Sequence, residues 1–229
     1  MPLADLLVAA RLTGELVPPP GTMTLAAGYV VATAVYAGLG TPAGWKIGAT
    51  SDRAQDFLGV GEPIRGRLYF ERIWREGDVT IAGDRAVEAE PEIVLRVGAG
   101  GAPDAAWFGI ELNRSSFADP FAHGAGAIVA DNAASVGLLI GRPLPLAALD
   151  DPGALVAMLD ADGTEVTRGA ADAVLGNPRT ALAWLAGVVD LRPGDFVATG
   201  AMARSAIVAR GTVLTLDGGR YGSARFTLK

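Results

Sequence analysis

Three glutamates stand at alternate positions in the segment AVEAEPEIVLRVG, which runs from residue 86 to residue 98: Glu88, Glu90 and Glu92. Successive side chains of a β-strand point to opposite faces, so a strand here would place all three on one face. The intervening positions are mainly apolar, which predicts that the other face packs against a core. Carboxylates that share a face repel one another, so the pattern indicates either a hydrated surface or a bound cation.

Three further polar residues lie inside apolar stretches: Lys46 in GWKIG, Glu111 in FGIELNRSS and Asp131 in AIVADNAAS. A carboxylate that is buried without a partner is energetically costly. Each residue also has a simpler interpretation, since Asp131 could form a turn and Lys46 could extend its ammonium group to the surface. Together they predict one cleft, in which carboxylates from two strands bind a divalent cation through oxygen and a lysine adds a second positive charge.

The composition excludes several other kinds of site. The chain has no cysteine, so disulfides, cysteine–zinc sites, iron–sulfur clusters and thiol nucleophiles are excluded. Its single histidine, His123, rules out a histidine-rich metal site. The net charge of −6 gives no indication of the basic surface that nucleic-acid binding requires, so no nucleic-acid partner is expected.

The residues that could do chemistry must be positioned by a mainly β-type chain. Helical spacing predicts helices at 3–13, 24–38 and 52–58, with Asp52 as a helix N-cap, and a later helix at 178–189. From about residue 61 short strands dominate, and they are predicted at 67–73, 78–81, 87–97, 106–112, 127–130, 136–140, 154–160, 195–199, 206–208, 211–216 and 223–228. The expected fold is α+β, a β-rich mixed sandwich or roll. A small helical N-terminal region (1–61) would precede a β-rich catalytic domain (62–229).

One uncharged stretch, between Glu15 and Lys46, could be mistaken for a membrane span. Prolines at 18–20 interrupt it, and its apolar part at 25–39 is shorter than the roughly 20 residues that a bilayer requires. A buried helix is therefore expected, with no membrane partner. The N-terminus lacks the pattern of a signal peptide, so the expected location is the cytoplasm.

A resemblance to a known family covers the chain from about Leu12 to Phe226. Seven segments carry it: GWKIGATS, LGVGEPIRGRLY, EAEPEIVLRV, GIELNRSS, VADNAA, LGNPRTALAWLA and LRPGDFVATGAM. In these segments the sequence resembles the fumarylacetoacetate hydrolase superfamily, and within it the branch of 2-keto-4-pentenoate hydratases and 4-oxalocrotonate decarboxylases. The resemblance implies the fold of that superfamily.

The resemblance also implies roles for individual residues. The metal ligands would be Glu88, Glu90 and Glu111; the catalytic residues would be Lys46, Glu71 and Asp131; and the substrate would contact Thr199, Arg114 and Ser135. Two positions depart from the family pattern, because Glu71 replaces a usual aspartate and Ala134 a frequent serine. Glu92 replaces a residue that is usually apolar or small, and Pro91 could twist it away, so it is left outside the metal shell.

The implied activity is that of a hydratase dependent on Mg²⁺ or Mn²⁺. It would convert a 2-oxo-4-enoic (2-hydroxydienoic) acid into a 4-hydroxy-2-oxo acid, with Lys46 and either Glu71 or Asp131 moving protons. Decarboxylation of a vinylogous 2-oxo diacid or of oxaloacetate is the alternative, with Arg114 a candidate for binding the second carboxylate. C–C bond hydrolysis is disfavoured, because His123 is far in sequence from the N-terminal lid that carries the histidine of the family's hydrolases.

A third possibility is a non-catalytic partner subunit of such an enzyme, since the departures at Glu71 and Ala134 could mark lost activity. The resemblance also implies a homo-oligomer and a possible pathway-enzyme partner. Apolar stretches at 24–39 and 124–149 fit subunit contacts as well as they fit a core.

Overall fold

The computed structural model describes all 229 residues, and two helices begin the chain. Helix α1 is Leu3–Thr13 and helix α2 is Leu25–Ala37, which confirms the predicted helices at 3–13 and 24–38. The side chain of Thr24 caps α2 by accepting a hydrogen bond from the backbone N–H of Ala27. Burial of α2 is only partial, because Val30 on its outer face is 74% exposed and nothing in the single chain covers it.

Eight strands form the larger sheet, in the order β2-β1-β10-β5-β6-β7-β3, with β11 paired to β5. Their bounds are β1 Pro42–Gly48, β2 Ile64–Tyr69, β3 Ile73–Trp74, β5 Val87–Val97, β6 Pro103–Asn113, β7 Ser135–Leu144, β10 Phe196–Ala201 and β11 Ala206–Val208. Strand β1 pairs in parallel with β10, whereas β5 and β6 form a long antiparallel pair.

A smaller sheet of five strands has the order β4-β13-β12-β8-β9. Its strands are β4 Gly77–Val79, β8 Val156–Ala161, β9 Thr164–Ala170, β12 Val213–Asp217 and β13 Ser223–Leu228. The two sheets share one apolar core, in which Ile93 and Leu95 of β5 belong to the same buried cluster as Leu216 and Phe226. The predicted apolar face of the glutamate strand is therefore core, and the predicted β-rich α+β sandwich or roll is confirmed.

The larger sheet curls on itself. Leu68 of β2 and Leu138 of β7 lie far apart in the strand order, yet both belong to one small buried cluster, together with Val94, Ile140 and Ala198. The face of the sheet that carries the three glutamates therefore lines the inside of a roll. This curl allows side chains from strands that are not neighbours to meet.

Three short helices complete the structure: α3 Asp52–Leu58, α4 Ala125–Ala130 and α5 Pro178–Ala186. The predicted cap of α3 was wrong, because the side chain of Ser51 accepts the hydrogen bond from the Ala54 N–H and Asp52 is the first helical residue. The predicted strand at 127–130 was also wrong, since these residues form most of α4. Helix α5 ends before the predicted residue 189.

The first 61 residues contribute more than helices, since β1 lies in the larger sheet between β2 and β10. The division of the chain at residue 61 stays a prediction. No helix in the structure combines the length and the apolar character that crossing a bilayer would need.

Candidate metal centre

Glu90 and Glu111 are direct cross-strand partners on the antiparallel pair β5–β6. Glu92 pairs with Gly109, where the side chain of Val94 and the carbonyl of Leu139 leave no space for a Cβ atom. Carboxylate oxygens of Glu90, Glu92 and Glu111 all lie within 4.8 Å of one another. We call these three residues the carboxylate cluster.

The carboxylate cluster is enclosed by protein. Glu92 and Glu111 are each 0% exposed. The side-chain amide of Asn113 donates to Oε2 of Glu90 at 3.0 Å and to Oε2 of Glu111 at 3.2 Å. The backbone N–H of Gly200 donates to Oε2 of Glu92 at 3.0 Å. The remaining buried oxygens, Oε1 of Glu92 and Oε1 of Glu111, have no hydrogen-bond partner.

Lys46 is the one cation that the fold brings to the carboxylate cluster. Its Nζ lies 3.2 Å from Oε2 of Glu111. The lysine stands on β1, three strands away from Glu111 in the sheet order, and the curl of the sheet closes this gap. Lys46 is 4% exposed, so the simpler interpretation of a lysine that reaches the surface was wrong.

The carboxylate cluster carries more negative charge than Lys46 can balance. Burial, followed by the charge of Glu111, raises the pKa of Glu90 to about 7. Burial raises the pKa of Glu92 well above its usual value, and the charges of Glu111 and Glu90 add to the effect. Unpartnered carboxylate oxygens that face one another fit a hard divalent cation, which takes oxygen ligands and neutralises their repulsion.

A cleft of about 600 Å³ gives access to this site. Lys46, Glu90 and Asn113 line its inner part. Phe57 of α3 and Phe121 stand at its mouth, with ring centroids 4.9 Å apart in an edge-to-face arrangement. Both rings are more than half exposed, which gives the entrance an apolar wall.

Glu88 and Glu92 occupy different surroundings from those that the sequence predicted. Glu88 is exposed, lines the cleft and accepts a hydrogen bond from Oγ of Ser205 at 2.8 Å. Glu92, which the prediction left outside the metal shell, lies in the carboxylate cluster. Pro91 stays in register opposite Ile110, so it does not twist Glu92 away.

Asp131 forms a buried ion pair with Arg11 and makes no hydrogen bond or ion pair with Lys46. Nη2 of Arg11 lies 2.6 Å from its Oδ2, and both side chains are almost fully buried. The hydroxyls of Ser115 and Ser116 also donate to the carboxylate, at 3.1 and 2.8 Å. These contacts join α1 to the segment that follows β6. They give Asp131 a structural setting, and its predicted role in proton transfer has no contact to support it.

Glu71 is likewise not brought to the carboxylate cluster. It is an exposed residue of a short turn, and both its carboxylate oxygens accept the backbone N–H of Thr41. Hydrogen bonding from the side chain of Thr41, followed by that from backbone groups, lowers the pKa of Glu71, which favours a charged carboxylate at that position. Glu71 faces a second cavity that lies beyond the cleft.

The three residues predicted to contact substrate are spread over the structure. The hydroxyl of Thr199 donates to the carbonyl of Ile93 at 2.9 Å, and the side chain is fully buried. Ser135 is buried at the start of β7, where its carbonyl accepts a hydrogen bond from Arg11. Arg114 borders the cleft, but its guanidinium donates to the carbonyls of Arg85 and Ala82, at 3.0 and 2.7 Å.

Asn113 is a residue of the site that the sequence reasoning did not identify. It lies two positions after Glu111 on β6, so strand alternation places both side chains on the same face. The same rule that grouped the three glutamates of β5 would have found it.

One protein-family model matches part of the chain, and several individual proteins match most of it. Residues 120–229 match the family model described as fumarylacetoacetate (FAA) hydrolase C-terminal. The 2-keto-4-pentenoate hydratase of Burkholderia vietnamiensis is 33% identical over 215 aligned positions, covering 80% of this chain and 77% of that protein. The TodF product hydratase of Pseudomonas putida is 32% identical, covering 96% of this chain and 91% of that protein.

Solved structures give the same result for the fold. The 4-oxalocrotonate decarboxylase from Pseudomonas putida G7, complexed with magnesium and adipate, aligns with a TM-score of 0.87 at 26% identity and covers 99% of this chain and 96% of its own. The fumarylpyruvate hydrolase from Pseudomonas aeruginosa has a TM-score of 0.61 at 18% identity, over 80% of this chain and 88% of its own, and so shares the fold. The chain belongs to the fumarylacetoacetate hydrolase superfamily, in the branch of the 2-keto-4-pentenoate hydratases and 4-oxalocrotonate decarboxylases.

Proposed function

We propose that the chain is a divalent-metal-dependent hydratase, a hydro-lyase that adds water to a 2-oxo-4-enoic (2-hydroxydienoic) acid and gives a 4-hydroxy-2-oxo acid. The observation that carries this proposal is the carboxylate cluster beside Lys46 at the inner end of an accessible cleft. The relatives named as hydratases support it, because two of them match most of the chain.

We propose that the carboxylate cluster, Glu90, Glu92 and Glu111, holds the ion, which would be Mg²⁺ or Mn²⁺. Glu88, the ligand that the sequence predicted in place of Glu92, is the alternative third ligand. An ion that also binds substrate must be reachable from the cleft, and Glu90, which lines the cleft, gives the carboxylate cluster that access. Burial and the charges of Glu111 and Glu90 raise the pKa of Glu92 well above its usual value, and a bound cation would offset that repulsion. A bound divalent cation supplies Lewis-acid stabilisation of the negative charge that develops on the 2-oxo oxygen of the substrate.

The side chains of this protein supply position and proton transfer. Asn113 holds Glu90 and Glu111 at fixed separation through its amide group. Nζ of Lys46, buried next to Glu111, would donate or accept the proton that moves when the dienol becomes the ketone. The enclosed inner end of the cleft strengthens these interactions because little water competes with them.

Decarboxylation of a vinylogous 2-oxo diacid or of oxaloacetate is the second candidate. Arg114, the predicted partner for the second carboxylate, directs its guanidinium to backbone carbonyls. Two other arginines, Arg53 and Arg204, line the cleft and could bind that group instead. The similarity to a solved 4-oxalocrotonate decarboxylase favours the same candidate.

The experiment that tests the proposal supplies purified protein and Mg²⁺ with 2-hydroxypenta-2,4-dienoate in one reaction and with a vinylogous 2-oxo diacid in another. Loss of dienol absorbance with a 4-hydroxy-2-oxo acid detected by NMR is the expected result. Release of CO₂ from the diacid without hydration of the dienoate would show the decarboxylase. A variant with Glu111→Gln serves as the inactive control.

Absence of turnover on every 2-oxo acid, combined with metal binding and a stable complex with a pathway enzyme, would support the non-catalytic partner subunit. We further propose a cytoplasmic homo-oligomer. The exposed apolar face of α2, with Val30 74% exposed, supports subunit contacts there, and the mass of the protein in solution tests the oligomer.

A further inference from the structure

A second cavity, of about 460 Å³, lies beside the cleft and contains no part of the carboxylate cluster. Four arginines line it: Arg11, Arg72, Arg85 and Arg114. They come from separate parts of the chain, namely α1, the turn after β2, the segment before β5 and the residue after β6. We call this the arginine cavity.

The positive charges of the arginine cavity are mostly unpaired. Arg11 forms a buried ion pair with Asp131. Arg72, Arg85 and Arg114 form no ion pair. Two carboxylates, Glu15 and Glu71, also line the cavity, but both belong to exposed residues and neither pairs with an arginine. Clustered guanidinium groups without counter-charges are costly to maintain in a partly buried site.

Hydrogen-bonding capacity is also unused. Nη1 of Arg85 is buried and has no hydrogen-bond partner. Arg72 makes no side-chain hydrogen bond to the protein, whereas Arg114 is fixed by the carbonyls of Arg85 and Ala82. The pKa of Arg114 is lowered to about 10, first by burial and then by the charges of Arg85 and Arg11, which shows how closely the cations are packed.

The arrangement has the chemistry of an oxyanion site. Guanidinium groups bind carboxylates and phosphates through parallel N–H donors, and several of them around one cavity favour a ligand with more than one negative charge. We propose that the arginine cavity binds a small polyvalent oxyanion, a phosphate or a dicarboxylate, through Arg72, Arg85 and Arg114. The proposal does not depend on the metal centre.

A link between the two cavities follows from the chain itself. Arg114 and Ser115 border both the arginine cavity and the cleft, and Arg114 directly follows Asn113, which holds Glu90 and Glu111. An anion bound at Arg114 would therefore lie next to the end of β6, the strand that carries Glu111 and Asn113.

The test measures binding to the full chain in the presence of a chelator, so that no metal ion can recruit the anion. Inorganic phosphate and succinate are titrated separately by calorimetry, and thermal denaturation is followed at each concentration. We expect at least one of them to bind and to raise Tm, and the comparison distinguishes the phosphate from the dicarboxylate. Arg72→Gln and Arg85→Gln should each weaken that binding by about tenfold or more.

Arg142→Gln is the matched control, because Arg142 is an exposed arginine paired with Glu76 away from the cavity, and its removal should leave binding unchanged. The use of two separate cavity variants keeps the test decisive if one of them fails to fold. The proposal is overturned if neither anion binds the native chain, or if binding survives both cavity variants. If only the double variant Arg53→Gln/Arg204→Gln loses binding, the anion binds in the cleft, and the proposal is overturned as well.

Discussion

Glu90 and Glu111 face each other directly across β5 and β6, and both accept a hydrogen bond from the same amide group, that of Asn113. Like charges opposite each other on two strands destabilise a sheet. The neutral amide of Asn113 and the ammonium group of Lys46 therefore hold two carboxylates that repel each other in place. This conflict has consequences that can be measured in the protein without its metal.

The first prediction concerns stability and pH. Because Glu90 has a pKa of about 7 in the fold against 4.5 as its ordinary value, the unfolded chain loses this proton first as pH rises. The free energy of unfolding of the chelated protein should therefore fall between about pH 4.5 and pH 7, by on the order of 3 kcal/mol from this group alone. Thermal denaturation from pH 5 to pH 8 measures the fall.

Mg²⁺ added at pH 8 should reverse this loss, because a cation binds the charged carboxylates and not the unfolded chain. Glu90→Gln should flatten the pH dependence, whereas Glu62→Gln, at an exposed glutamate outside the carboxylate cluster, should leave it unchanged. A chelated protein whose stability rises over this interval would contradict the raised pKa.

The second prediction separates the two possible third ligands. Glu92→Gln should weaken Mn²⁺ binding by about tenfold or more, because it removes a carboxylate of the cluster. Glu88→Gln should have a smaller effect, since Glu88 is exposed and lies outside the carboxylate cluster. Calorimetric titration of both variants gives the comparison. The reverse order of effects would mean that Glu88, Glu90 and Glu111 hold the ion, as the sequence predicted.

The third prediction concerns Lys46. Lys46→Met should lower kcat for hydration by about 10²- to 10⁴-fold, because it removes the proton carrier, while Mn²⁺ binding persists. Lys229→Met is the matched control, since Lys229 is a surface lysine whose Nζ is 3.7 Å from Oδ1 of Asp78. Steady-state kinetics with saturating metal test both variants. A Lys46→Met enzyme with nearly native kcat would remove the lysine from the mechanism.

The fourth prediction concerns Asp131. Asp131→Asn leaves the buried guanidinium of Arg11 without its counter-charge, so the free energy of unfolding should fall by about 3–5 kcal/mol. Asp104→Asn breaks an exposed pair with Arg96 and should cost at most about 1 kcal/mol. Chemical denaturation measures both. A stable Asp131→Asn protein that has lost kcat would instead restore the proton-transfer role predicted for this residue.

Much of the site could be predicted from the sequence because strand alternation is a local rule. It placed Glu88, Glu90 and Glu92 on one face of β5 and the apolar residues on the other, as the structure has them. Local patterns predicted secondary structure less well where apolar residues follow one another without helical or strand periodicity. The run at 125–130 is buried on all sides, and such a run does not distinguish the helix α4 from a strand.

Other features depended on tertiary contacts that a sequence does not display. The strand β9 was not predicted, because its residues are mostly exposed and polar and it is defined by its pairing with β8. The contact of Lys46 with Glu111 requires the curl of the larger sheet. Asp131 pairs with Arg11, which lies 120 residues earlier in the chain, so no local sequence motif predicts this ion pair.

Phe57 and Phe121 stand on a short helix and a surface turn, whereas the carboxylate cluster and Lys46 stand on strands of the curled sheet. The residues proposed for catalysis and the aromatic pair that borders the cleft therefore lie on separate pieces of chain. We expect exchange of the aromatic pair for other side chains to alter the entrance of the cleft and to leave the carboxylate cluster in place. Such modularity lets one scaffold diversify during evolution, and it gives protein engineers two small segments to vary.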